Sequence, residues 1–216
     1  MIKRSNIGCG QTPTPGWLNF DNSLSVHLSK FPLMAKVLEM LNLLGKDQKD
    51  YILFAKHNDI IWANVIKHIP LPDNSIEVLY TSHMLEHLDR EEASLFLHEA
   101  YRVLEPKGII RIAIPDLAKL INQYIIDGNA DIFIDKTFLA FPRPKTLIER
   151  IRFLIIGTRH HHWMYDGPSL CRLLTMHKFE SPIILQPGST TIPNPGELNL
   201  NERAEDSVFV EAYKKS

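Results

Sequence analysis

Cysteine is nearly absent: Cys9 and Cys171 are the only two in 216 residues and lie far apart. They read as small buried hydrophobes of a reducing compartment rather than as a disulfide. No uninterrupted apolar run approaches the roughly 18 residues that a membrane span requires. Met1 to Gly10 is too short and too polar ahead of a glycine turn to be a secretory signal. A soluble, cytoplasmic protein is expected. Net charge is equally scant, since 24 Lys and Arg against 25 Asp and Glu leave a formal -1. That balance gives no general electrostatic reason to expect nucleic acid as partner. Hydrophobic residues make up 44% of the chain, enough to fill one α/β core, whereas a second full domain would be cramped. One domain over 1–216 is expected.

What is present is concentrated between Leu71 and Asp116. Pro72-Asp73-Asn74-Ser75 is a cluster of turn formers, and Ile76 to Tyr80 is a short apolar run suited to a strand. Asp89 with Glu92 makes a capping box with Asp in place of Ser or Thr. Behind it Ala93, Phe96, Leu97, Ala100, Tyr101 and Leu104 recur at spacings of three and four, which gives one apolar helix face. Pro106-Lys107-Gly108 stops that helix. Ile109, Ile110, Ile112, Ala113 and Ile114 follow as a run broken only by Arg111, as expected for a strand covered on both faces. Asp116 caps a further helix with Leu117, Leu120, Ile121, Tyr124 and Ile125 along one side. Strand, helix, strand, helix in this order means a parallel sheet. Ser82, His83, Glu86 and His87 then fall at the carboxyl end of a parallel strand, where open α/β sheets build ligand sites.

A second constellation lies near the amino terminus, where a strand ending at Ile7 runs into Gly8-Cys9-Gly10 and then Gly16-Trp17-Leu18-Asn19-Phe20-Asp21. Glycine at a strand end allows a sharp turn and close approach of a ligand; a plain tight turn is the competing explanation. Asp21 closes a second short strand, and its carboxylate suits the vicinal hydroxyls of a ribose. The interval from Gln11 to Gly16 is too short for a crossover helix and contains Pro13 and Pro15. The helix-terminus phosphate cradle of dinucleotide enzymes is therefore not expected, and a ligand without a pyrophosphate fits better.

Together these residues resemble the class I S-adenosylmethionine-dependent methyltransferases, and more closely the small group with a Gly-Trp-hydrophobic-Asn-hydrophobic-Asp segment after the glycine loop. The resemblance runs through Asn6 to Gly10, Trp17 to Asp21, Ile69 to Asn74, Ser82 to His87 and Arg102 to Asp116. It extends to the helix Lys30 to Leu44, the region His160 to Leu170 and the closing strand Ser207 to Tyr213. It implies a Rossmann-like α/β fold, a seven-stranded, mostly parallel sheet with helices on both faces and an antiparallel last strand. It implies S-adenosylmethionine bound at Ile7, Gly8, Cys9 and Gly10, with ribose on Asp21, adenine near Asn64 and Val65, and Ser82 and His83 also in the cofactor site. Asn6 and Asn64 stand where the group more often has acids, Glu77 replaces an Asp, and Lys107 interrupts the usual Pro-Gly-Gly. Neutral amides are weaker acceptors, which keeps a non-catalytic cofactor-binding module of the same fold in play.

The activity implied is in-line methyl transfer to a small or medium acceptor, with His83, His87 or His162 as bases in the useful pKa range. The rival is a metal-dependent hydrolase, because His83-Met84-Leu85-Glu86-His87 matches the His-x-x-Glu-His pattern of inverted zinc proteases. That reading needs all five residues on one helix, whereas helix is signalled only from Asp89, so no metal is assigned. His160-His161-His162 could likewise serve a metal, but consecutive residues do not face one point, and a solvated basic loop is the favoured reading. Arg143, Lys145, Arg150, Arg152 and Arg159 oppose the single acid Glu149, interleaved with Leu147, Ile148, Ile151, Leu154 and Ile155 at helical spacing. This 143–162 stretch is either a solvated face, a dock for an anionic or lipid-linked acceptor, or a peripheral membrane contact. It belongs to an acceptor-side segment, 128–162. A helical insertion, 28–46, presents Leu33, Val37, Leu41 and Leu44 on one side as core or as a lid over the cofactor. Trp163-Met164-Tyr165-Asp166 precedes a helix capped at Ser169, with Leu170, Leu173 and Leu174 inward. The aromatic pair there would wall an acceptor pocket.

Overall fold

The apolar runs form the strands of one sheet in the computed structural model, which describes residues 3–140, 145–147, 150–151 and 160–216. The strands are β1 (Arg4–Ile7), β2 (Leu18–Asp21), β3 (Ile60–Trp62), β4 (Ile76–Ser82), β5 (Leu104–Pro115), β6 (Phe179–Leu185) and β7 (Ser207–Lys214). They lie in the order β3-β2-β1-β4-β5-β7-β6. Strands β1 to β5 are mutually parallel, and β7 runs antiparallel to both neighbours. The helices are α1 (Leu24–Ser29), α2 (Pro32–Met40), α3 (Lys46–Lys56), α4 (Arg90–Val103), α5 (Leu117–Asp127), α6 (Ala130–Thr137) and α7 (Gly167–Met176). This is the seven-stranded Rossmann-like architecture that the resemblance implies. Among the described residues no helix is long and apolar enough to cross a membrane.

The expected local signals operate around β4 and β5. Asp89 caps α4 through the amides of Glu91 and Glu92, and Glu92 returns a bond to the Asp89 amide. Ala93, Phe96, Leu97, Ala100 and Val103 on α4 and Leu170, Leu173 and Leu174 on α7 join one core cluster with Ile7, Leu79, Ile110 and Ile112 of the sheet. Burying each of the larger side chains in that cluster contributes about 1.5–3 kcal/mol. Residues 105–108 bulge out between the pairs Ile76–Leu104 and Val78–Ile109. Lys107 there has a φ of +66°, and a Cβ on Gly108 would stand 2.8 Å from the Glu105 carbonyl oxygen. The Pro-Lys-Gly turn is therefore a bulge at the start of β5.

The opposite face is less helical than expected. Trp17, Val78, Tyr80, Ile109, Ala113 and Phe209 pack there with Ile192 and Leu198 from the non-helical stretch between β6 and β7. That stretch is held by a fully buried ion pair, Arg111 to Glu211 at 2.6 Å, both 0% exposed. The guanidinium also donates to the carbonyls of Ser189 and Leu200, and Glu211 accepts from Thr190 and Thr191. The one charge in the β5 run is thus a clasp for a loop.

Three expectations require correction. The apolar side of α2 is not core: Leu33 is 82% exposed, and Val37 and Leu41 are also exposed, while Leu38 and Leu44 pack beside Leu28 and Ile52. On α5 only Leu120 is buried; Ile121, Tyr124 and Ile125 are exposed. Helix α7 is capped by Asp166, not Ser169, because Pro168 is accommodated in the first turn and lets the helix begin earlier. Ser169 answers as the third helical residue of the box, its amide 2.7 Å from Asp166 Oδ1.

Candidate cofactor and acceptor site

The carboxyl ends of β1 and β2 make the first half of the site. They pair in parallel, Ile7 opposite Phe20, without a crossover helix between them. The amides of Gly8 and Cys9 both donate to the Phe20 carbonyl, at 2.8 and 3.0 Å, which turns the chain back over β2. Gly8 and Gly10 have φ of +69° and +51°, a region glycine enters without strain. The space a Cβ would take on Gly8 is filled by Met84, 2.7 Å away, whereas at Gly10 it is open. Asp21 is 8% exposed, and its carboxylate receives the Gly10 amide on Oδ2 at 3.0 Å and the Ser23 amide on Oδ1 at 2.8 Å. Two carboxylate oxygens offer about four acceptor sites, so capacity for a diol remains.

The loop that replaces the crossover helix is held by two asparagines. Asn6 donates to the Thr12 carbonyl and to Thr14 Oγ1, both at 3.1 Å. Asn19 accepts from the Thr14 amide at 2.7 Å and donates to the carbonyls of Thr14 and Trp17. A carboxylate at position 6 has no proton to donate, which gives the departure at Asn6 a structural reason. Burial, then the charge of Asp21, pushes the Cys9 thiol far above its ordinary range, so Cys9 is no thiolate nucleophile. The buried Tyr51 phenol is raised for the same two reasons.

The carboxyl end of β4 makes the second half. Ser82 closes the strand with its hydroxyl buried and without a hydrogen-bond partner among the described residues. His83 turns the chain at φ +49°, and Leu85–His87 is one turn of 3₁₀ helix. The five residues His83 to His87 therefore do not share a helix face, and the protease pattern fails on geometry. Glu86 is 1% exposed. Its carbonyl accepts the amides of His162 at 2.7 Å and Trp163 at 3.2 Å, which brings the 160–163 segment across the end of β4. His161 Nε2 then lies 3.9 Å, and His83 Nδ1 3.4 Å, from Glu86 Oε1. His83 Nε2 pairs with Ser207 Oγ at 2.9 Å, and His87 Nδ1 donates to the His160 carbonyl at 2.9 Å. Burial lowers the His161 imidazole below the ordinary histidine range. The Arg90 guanidinium lies 5.0 Å above the Trp163 ring, while Tyr165 is buried.

The structure thus brings Ile7, Gly8, Cys9, Gly10 and Asp21 together at one crevice edge and His83, Glu86 and His87 at the next, bridged by Met84 against Gly8. Asn64 is exposed in a turn just after β3, its carbonyl accepting from Lys67 and His68. Val65 is core, 3% exposed. His162 is exposed. Of the basic segment, Arg143, Ile148, Glu149, Arg152, Leu154, Ile155 and Arg159 lie outside the described residues. Sequence reasoning missed Met84, and it sets His161 aside in a solvated loop, whereas its side chain is 8% exposed and faces Glu86; their partners are distant in sequence.

Residues 6–112, from β1 into β5, match the family described as methyltransferase domain. Solved structures agree at the level of the fold. A methyltransferase of Thermotoga maritima, described as a possible histamine N-methyltransferase, is 14% identical, with 99% of this chain and 82% of that chain covered at a TM-score of 0.53. One from Methanosarcina mazei is also 14% identical, covering 98% and 92% at 0.53. One from Archaeoglobus fulgidus is 16% identical, covering 99% and 86% at 0.50. No curated protein matches. Just under half of the chain thus matches a methyltransferase-domain family, and its fold is the class I, Rossmann-like fold of S-adenosylmethionine-dependent methyltransferases.

Proposed function

We propose that the single domain transfers a methyl group to a small or medium acceptor held at the carboxyl ends of β4 and β5, with Gly8, Cys9, Gly10 and Asp21 holding the cofactor. The observation that carries this is the buried Asp21 carboxylate, fixed by the Gly10 and Ser23 amides at the edge of a loop left open at Gly10. The orphaned Ser82 hydroxyl offers a further polar contact. Asn64 would lie at the adenine end, with Val65 beneath it as packing.

S-adenosylmethionine supplies a methyl activated by positive sulfur. The protein's part is then alignment, and holding two reactants in line is worth up to roughly 7–11 kcal/mol in favourable cases. An acceptor hydroxyl or amine must also lose a proton. Of the three histidines foreseen as bases, His83 has Nε2 taken by Ser207, and the exposed His162 contributes its amide to the Glu86 carbonyl. His87 donates from Nδ1 to a carbonyl, which leaves Nε2 as the acceptor. The Lys and Arg excess in 143–162 supports an anionic or lipid-linked acceptor.

Calorimetric titration with S-adenosylmethionine and with its demethylated product tests the reading. Saturable one-to-one binding is expected. Absence of binding by the folded protein overturns it, and binding without transfer to any member of a broad acceptor panel favours the non-catalytic module.

A further inference from the structure

We propose that Glu86, His87 and His161 bind one divalent transition-metal ion, zinc by their donor set, at the carboxyl end of β4. One ligand atom from each lies within 4.8 Å of the other two. A tetrahedral zinc with bonds of 2.0–2.2 Å sets its ligand atoms about 3.4 Å apart, so side-chain rotations of about 1 Å close the site.

Three independent features point to a cation. The first is Glu86 itself: it is 1% exposed, and neither carboxylate oxygen has a hydrogen-bond partner among the described residues. A buried carboxylate without a compensating partner costs several kcal/mol. Among the described residues no Lys or Arg pairs with it; its ion-pair partners there are the imidazoles of His83 and His161. The second is the direction of both imidazoles. His87 gives Nδ1–H to the His160 carbonyl at 2.9 Å, and His161 Nδ1 faces the Met164 sulfur at 3.3 Å. Both rings are thereby left with Nε2 for a ligand bond, and a backbone carbonyl on the far nitrogen is the usual way a metal-binding histidine is oriented. The rings pack edge to face with centroids 5.1 Å apart. The third is rigidity: the Glu86 carbonyl holds the amides of His162 and Trp163, so the 160–163 segment is tied to the 3₁₀ turn it faces.

Two imidazoles and one carboxylate select zinc or another first-row ion over magnesium or calcium, and three protein ligands leave a fourth position open. An acceptor oxygen reaching that position would lose its proton to water more readily, and His87, with Nδ1 on a carbonyl and Nε2 on the ion, would not serve as the base. That role rests on the methyl-transfer reading; ion binding does not.

The test uses the full chain without a histidine tag, stripped with chelator and titrated with zinc chloride. One zinc per chain is expected, confirmed by elemental analysis after dialysis and by a visible cobalt(II) spectrum of a nitrogen-ligated site. His161→Ala, His87→Ala and the near-isosteric Glu86→Gln should each weaken uptake at least tenfold while circular dichroism stays native, and His57→Ala, at the residue that follows α3, should not. Should the alanine variants fail to fold, Glu86→Gln alone decides. Absence of saturable uptake by the stripped, folded protein overturns the proposal, as does wild-type uptake in folded Glu86→Gln. Cofactor titration of the same samples separates the two readings: zinc without cofactor binding sinks the proposed function alone, and cofactor without zinc sinks this inference alone.

Discussion

Asp21→Ala is the sharpest probe of the cofactor site, because the same carboxylate serves the fold and the proposed ligand. Within the protein it accepts two backbone amides, Gly10 and Ser23. Hydrogen bonds to a charged group contribute about 1.5–3 kcal/mol each. Water reaches part of this edge once the side chain is gone, so a destabilisation of about 2–3 kcal/mol is expected in urea unfolding. Two ribose hydroxyls on the carboxylate, valued on the same scale, add about 3–6 kcal/mol to binding. The lower figure already corresponds to a loss of about a hundredfold in affinity. Loosening of the loop would also weaken binding, and a cycle separates the two causes. Calorimetry of the demethylated cofactor and its 2′-deoxy analogue against wild type and Asp21→Ala gives the coupling between hydroxyl and carboxylate. The deoxy analogue should lose about tenfold or more against wild type and almost nothing against the variant. Equal losses against both proteins would mean that the ribose does not sit on Asp21.

Other consequences follow from the same contacts. Glu211→Gln leaves the Arg111 guanidinium buried beside a neutral amide and should cost about 3–5 kcal/mol in urea unfolding; a cost under 1 kcal/mol would show that the clasp is not charge-dependent. Glu99 is held at a pKa of about 2, down from 4.5, mainly by its hydrogen bond with Arg102. Its folded-state pKa is depressed, so its stabilisation is complete above pH 4.5 and is lost as pH falls through about 2, by up to about 3 kcal/mol. Arg102→Met should flatten the acid limb of stability against pH. Asn6→Asp removes the donors to Thr12 and Thr14 and should lower stability by about 1–3 kcal/mol, with calorimetric cofactor affinity falling in parallel; an unchanged melting temperature would refute the role given to the amide.

The legibility of this chain divides along the range of the interactions. The 71–116 unit was readable because its determinants are local: the Asp89–Glu92 box, the three-and-four spacing on α4 and the β-branched run of β5 need no distant partner. Asp21 was readable because strand end and acid are adjacent. The apolar side of α2 is not core, since periodicity defines a face and says nothing of what the face meets. His161 is 74 positions from His87, and the rule that rejected His83 to His87 as a single-helix set has no means of finding a partner on another segment. Asn6 looked like a weakened acid; its donor role appears only with Thr12 and Thr14 in place. Arg111 looked anomalous inside an apolar strand until Glu211, a hundred residues on, lay opposite it.

The missing crossover helix has a further cost that the carboxyl-terminal third of the chain offsets. A helix between β1 and β2 would carry its own backbone hydrogen bonds; residues 11–17 keep only the turn bonds from Thr12 to Cys9 and from Trp17 to Thr14, and they lean on neighbours for the rest. Besides Asn6 and Asn19, the neighbour is Glu202, from the loop that Arg111 and Glu211 clasp. Its Oε1 lies 3.2 Å from the Thr12 hydroxyl and its Oε2 accepts from the buried Tyr80 phenol at 3.0 Å. Arg4 donates to the carbonyls of Pro193 and Asn194 from the other side. The glycine loop is therefore braced by a segment some 190 positions away. Glu202→Ala should leave the Tyr80 hydroxyl unpartnered at about 1–3 kcal/mol and release Thr12, two residues from the Gly10 amide that Asp21 holds. Cofactor affinity should fall by about three- to tenfold, about 0.7–1.4 kcal/mol. Glu202→Gln, which keeps an acceptor for Tyr80, should recover most of the stability. Native affinity in a folded Glu202→Ala protein would mean that the two asparagines hold the loop unaided.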